Sequence, residues 1–127
     1  MSTSYIVIVN TFDGFQDSWE PFFKLFKTYW PGCPARVILN TQRKNWSYPG
    51  VDIVCSMVEP DGRDGQLPWS ECLLRCLASV PTPFVLYLQE DYFLERPVQG
   101  ELVDEFATIM SRNEDLKHIG LTHFGAA

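Results

Sequence analysis

The stretch FVLYLQEDYFL, residues 84–94, constrains this chain more than any other. It begins as an apolar run of strand formers, is bounded by Pro83 and Pro97, and turns polar at Gln89, Glu90 and Asp91. An apolar run without alternation reads as a strand covered on both faces, and such strands belong in parallel sheets flanked by helices. In open α/β sheets, ligands sit beyond the carboxyl ends of the strands. The acids at this strand end therefore carry a chemical reading. In an extended chain Gln89 and Asp91 share one side and Glu90 points to the other. Carboxylates so placed can hold a divalent cation bound to a diphosphate. The plainer alternative is an Asx turn at Asp91 with Glu90 solvated near Arg96.

The chain around this strand follows an alternating pattern. YIVIVN, residues 5–10, is the expected first strand, and Asn10 to Gly14 form a polar loop able to approach a ligand. Residues 18–30 follow helical spacing, with Trp19, Phe22, Phe23, Phe26, Tyr29 and Trp30 on one stripe and Pro31-Gly32 as the stop. ARVILN, residues 35–40, and VDIVCSM, residues 51–57, read as the next two strands. The linking TQRKNWSYPG is short for a crossover helix, and Trp46 and Tyr48 read as anchors of a solvated loop. A loop containing Arg63 and Asp64 leads to a helix opened by Pro68, with Trp69, Cys72, Leu73, Cys76 and Leu77 on one face. After the acid strand, Pro97 opens a third helix, and Lys117 to Thr122 reads as a last strand. Strands alternating with amphipathic helices predict a three-layer α/β/α fold with a mostly parallel sheet, as one domain over residues 1–127.

Composition narrows the function classes. With 46% hydrophobic residues and 14% aromatics, the chain has the material for a core. A net charge of −6 with dispersed acids argues against nucleic acid as a partner. The opening MSTSYIVIVN is not a signal peptide, and no apolar run approaches a membrane span, so the expected location is cytoplasmic. Cys33, Cys55, Cys72 and Cys76 form no CxxC pair and read as free thiols. His118 and His123 lack the spacing of a zinc site. The usual phosphate-binding signatures, GxGxxG and a GKS or GKT loop, are missing.

The segment GQLPWSECLLRCLASVPTPFVLYLQEDYFL resembles the donor-binding core of GT-A glycosyltransferases, and YIVIVNTFD resembles that family's first strand and nucleotide-facing loop. The resemblance covers nearly the whole chain in order of elements, but only the acid strand is motif-like. It implies a Rossmann-like, nucleotide-diphospho-sugar transferase fold and transfer of a sugar from a nucleotide-diphosphate donor to a glycan or other hydroxyl acceptor. It implies Mn²⁺ or Mg²⁺ as cofactor, stabilising the leaving diphosphate. By position, Asp91 matches the metal-contacting acid of the family's Asp-x-Asp motif. Gln89 stands where the first acid would be, and Glu90 supplies the second charge. Thr11, Phe12 and Asp13 fall beside the base and ribose, with Asp64 and Trp69 in the loop before the helix. The catalytic base has no match. Little chain follows Asp91 for an acceptor side, so the resemblance further implies a donor-binding portion that pairs with itself or a second chain. The competing reading is a non-catalytic nucleotide-sugar-binding or assembly domain of the same fold, with Trp46 and Tyr48 serving an interface.

Overall fold

The structure is a computed structural model and describes residues 4–59 and 67–121. β1 (Tyr5–Asn10) is followed by a 3₁₀ segment (Asp13–Ser18) that runs directly into helix α1 (Trp19–Tyr29). Then come β2 (Val37–Asn40), β3 (Ile53–Cys55), α2 (Trp69–Ala78), β4 (Phe84–Gln89) and α3 (Gly100–Arg112). The four strands form one parallel sheet in the order β3-β2-β1-β4.

The centre of this sheet is β1, not the acid strand. All six residues of β1 are buried. β-Branched residues on both of its faces suit a strand sandwiched between two neighbours and packed from above and below. Tyr5, Val7 and Val9 join one core cluster with Val37 and Leu39 and with Trp19, Phe22, Phe23 and Phe26 of α1. Ile6 and Ile8 face the other way, toward Ile38 and Cys76 of α2. β4 alternates instead. Leu86 and Leu88 pack on the aromatic cluster, while Val85 and Tyr87 are 39% and 37% exposed. Among the described residues β4 has a single strand neighbour, β1. An unbroken apolar run fits an edge strand as well as a central one when its second face is only half covered.

The aromatic stripe of α1 is core, as its spacing predicts. Phe23 is fully buried, with ring centroids 5.0 Å from Phe22, 5.9 Å from Phe26 and 5.6 Å from Trp46. Tyr48 stacks on the same ring at 6.5 Å. Trp46 and Tyr48 are thus anchors that hold residues 41–52 against the core, and they do not present an aromatic interface. The linker between these two parallel strands thus packs on the core through two rings and holds no crossover helix. The Trp46 N–H donates to Cys55 Sγ at 3.1 Å, and the Cys55 thiol donates back to the Trp46 carbonyl at 3.3 Å. The same loop turns at Gly50, whose φ of +85° is open to glycine, and a Cβ there would lie 2.7 Å from the Lys27 side chain.

Two further expectations meet the structure. All four cysteines are free, and burial pushes the Cys76 thiol up to about 11. The expected last strand is not formed over its described part. Residues 117–121 are irregular, and Thr122 and His123 lie outside the described residues. Gly120 and the charged Lys117 leave too little apolar surface there to hold a strand to the sheet. No helix among the described residues is long and apolar enough to cross a membrane.

Candidate ligand site at the carboxyl ends of the strands

The chain leaves β1 toward β2 and β3 on one side and later returns to place β4 on the other. The order therefore switches between β1 and β4, and at such a point the connections diverge and open a crevice above the strand ends. Asn10 and Gln89 are register partners at that point. Glu90 and Asp91 follow in a turn, closed by the Tyr92 N–H donating to the Gln89 carbonyl at 3.0 Å.

A row of neutral polar side chains crosses the sheet here. Ser56, just past β3, donates to Asn40 Oδ1 at 2.7 Å. Asn40 Nδ2 donates to Asn10 Oδ1 at 2.8 Å, and also reaches the Cys72 carbonyl of α2 at 3.4 Å. Asn10 Nδ2 donates to Tyr87 Oη at 3.2 Å, and Gln89 Nε2 donates to the same oxygen at 2.9 Å. Every strand contributes. Asn10 and Asn40 are buried, and each satisfies its amide within the row, as buried polar groups must. Of this row Gln89, and Asn10 as the start of the polar loop after β1, are legible in the sequence as site residues. The missed signal is that YIVIVN, VILN and FVLYLQ each end in a side-chain amide and IVC is followed by Ser56.

The sequence-predicted nucleotide residues fall into three groups. Thr11 is buried, and its hydroxyl accepts from Trp19 Nε1 at 2.9 Å. Asp13 turns inward as a latch. Its carboxylate accepts the backbone N–H groups of Gln42, Arg43 and Lys44 at 3.0, 2.9 and 3.3 Å, and its own N–H donates to Gln42 Oε1 at 2.7 Å. It thereby ties the loop after β1 to the loop after β2, using three of the carboxylate's four acceptor positions. Phe12 is half-buried and rests 6.4 Å from Phe15. Trp69 opens α2 and is 46% exposed, free to meet a ligand. Asp64 lies outside the described residues.

Of the acid group, Gln89 belongs to the polar row, Glu90 is half-buried and Asp91 is exposed. No group of three His, Cys, Asp or Glu side chains suited to a metal converges among the described residues. Burial raises the Glu90 carboxyl above its ordinary range, opposed by its own backbone N–H and assisted by the neighbouring Asp91 charge. The folded chain then binds this proton more tightly than the unfolded chain, so the contribution is fully present below the unfolded pKa and is lost as pH rises through the folded one. Glu90→Gln is therefore expected to be more stable than the wild type at pH 7, with the gap shrinking by pH 4. Urea unfolding at the two pH values checks it, and a gap that widens in acid contradicts it.

A groove of about 400 Å³ lies elsewhere, lined by Pro83, Phe84, Met110, Asn113 and Leu116 at the amino-terminal end of β4. Glu114 and Lys117 add one charge of each sign to its lining, and it lies at the opposite end of β4 from Glu90 and Asp91, so the switch point is the better candidate. Comparison with protein-family models, curated proteins and solved structures finds no match.

Proposed function

We propose that this chain binds a nucleotide-diphosphate sugar at the β1–β4 switch point, as the donor-binding part of a metal-assisted glycosyltransferase of three-layer, Rossmann-like GT-A type. The observation that carries the reading is the position of Glu90 and Asp91 directly beyond the carboxyl end of β4, beside Asn10 of β1. A parallel sheet offers ligands its carboxyl edge at the switch in strand order, and here that edge ends in two carboxylates. The donor set suits Mg²⁺ or Mn²⁺, which takes one or two carboxylates and fills its remaining positions with water and substrate phosphate oxygens. Glu90 and Asp91 would hold the cation, and Gln89 could add only an uncharged carbonyl oxygen. When bound, the cation supplies charge that offsets the diphosphate of the leaving group. Trp69, exposed at the start of α2, would stack on the base in this reading. The acceptor hydroxyl belongs to a glycan or another alcohol.

The test is calorimetric titration with UDP, with Mn²⁺ and with chelator. Mn²⁺ is expected to strengthen binding at least tenfold, and Asp91→Asn is expected to abolish that gain without changing the unfolding midpoint. This is the scale of one lost charge-assisted contact, about 1.5–3 kcal/mol. Equal affinity with and without metal removes the cation from the reading.

A second reading is a non-catalytic nucleotide-sugar-binding or assembly domain, favoured by the outer edge of β4. That strand carries no charge or proline to discourage pairing, and Val85 and Tyr87 are exposed beside it. Light scattering over a dilution series, run beside a sugar-transfer assay, separates the two. A homodimer without turnover supports the second.

A further inference from the structure

We propose that Tyr87 and Gln89 form a paired donor and acceptor that reads a hydroxyl group on a neutral sugar ring. This rests on the donor-site reading for its location, and it assigns Gln89 to the sugar and not to the cation.

The argument starts from hydrogen-bond capacity. A phenol offers one O–H and two acceptor positions. Tyr87 Oη accepts from Asn10 Nδ2 and from Gln89 Nε2, and neither amide nitrogen can accept in return. Both acceptor positions are spent, so the phenol contributes its hydrogen as a donor. Gln89 has committed its nitrogen to Tyr87, which leaves Oε1 as an acceptor beside that hydrogen. Asn10 is fixed in turn by Asn40, and Asn40 by Ser56, so the orientation of Asn10 against Tyr87 is set by a chain that runs back across the sheet. With the Gln89 amide turned over, Nε2 donates and Tyr87 Oη accepts, so the pair presents one donor beside one acceptor in either orientation. Tyr87 is 37% exposed, so the pair stands at the surface end of an otherwise buried row.

One O–H donor beside one C=O acceptor matches a hydroxyl, which accepts and donates at a single oxygen. It does not match a phosphate. The row contains no cation, a carbonyl lone pair repels an anionic oxygen, and Glu90 and Asp91 follow immediately. A simple cation is excluded by the phenol hydrogen. A ring bearing several hydroxyls beside an exposed aromatic side chain, here Tyr87 itself, is the ligand that uses both features.

The experiment compares wild type, Tyr87→Phe and Gln89→Met. Each is titrated calorimetrically with UDP-glucose and with UDP in Mn²⁺, and the Asn10 and Gln89 side-chain amides of the wild type are followed by NMR on addition of D-glucose or inorganic phosphate. Both variants are expected to lose about tenfold in affinity for UDP-glucose and nothing for UDP. Glucose is expected to shift both amides, and phosphate to leave them in place. Equal losses for UDP and UDP-glucose, no loss in either variant, or amide shifts with phosphate alone overturns the proposal. If neither nucleotide binds, the glucose titration decides it. A shift retains the pair and rejects the nucleotide reading, and silence rejects the pair as well.

Discussion

Phe23→Ala is expected to remove about 3–5 kcal/mol, a large share of the roughly 5–15 kcal/mol that holds a domain of this size together. Phe23 is fully buried and touches aromatic rings from two different parts of the chain, Phe22 and Phe26 on its own helix and Trp46 and Tyr48 in the loop after β2. Truncation opens a void between helix and loop, and neither side can collapse to fill it while the Trp46–Cys55 bonds hold the loop in place. Phe23→Leu keeps most of the volume and is expected to cost about 1.5 kcal/mol or less. Urea midpoints for the two variants check the pair. Equal, small losses would mean that the loop anchors do not depend on this ring.

Asp13→Ala is expected to cost about 2–3 kcal/mol, the scale of charge-assisted bonds left unmade. It removes the acceptor for three successive backbone N–H groups at 42–44 and frees the two loops that border the switch point. Asp13→Asn keeps one acceptor oxygen and should lose about half as much. Thermal unfolding and amide hydrogen exchange at Arg43 and Lys44 separate the roles. If Asp13 contacted ligand instead of loop, stability and exchange would stay at wild-type values while nucleotide affinity fell.

The sequence made the periodic parts of this protein readable because periodicity follows from burial. The helix at 18–30 announces itself through its stripe, and the structure returns α1 with the rings of that stripe in the core, except Tyr29, which is half-buried. The short strands at 5–10, 35–40 and 51–57 were readable for the same reason, to within two residues at either end. Position within the sheet was not. An apolar run is silent on whether both of its sides are paired, and β4, which reads as the centre, lies at the edge while β1 takes the middle. The expected last strand is not formed over residues 117–121, where Ile119 and Leu121 are separated by a glycine and preceded by Lys117 and His118.

The strand end that carries Glu90 and Asp91 was legible in the sequence, and the bonding around it was not. Glu90 and Asp91 stand at the carboxyl end that alternation of strands and helices predicts. The roles of Thr11 and Asp13 were not, because a polar loop residue looks the same in sequence whether it faces a ligand or caps a neighbouring loop. The Ser56–Asn40–Asn10–Tyr87 row was hidden for a different reason. It joins residues up to 77 positions apart, and only the register of the sheet brings them together.

That register also fixes an order of events. Tyr5 through Asn10 pair with Phe84 through Gln89, so one flank of the central strand waits for nearly two-thirds of the chain before it can be closed. Local contacts reward early folding and distant ones delay it. During synthesis α1, β2 and the loop anchors can gather on the first strand while its far side stays bare, a row of Val and Ile backbone open to any passing strand. Arrival of β4 ends that exposure and in the same motion sets Gln89 beside Asn10. The polar edge of the sheet and the completion of the fold are thus a single event.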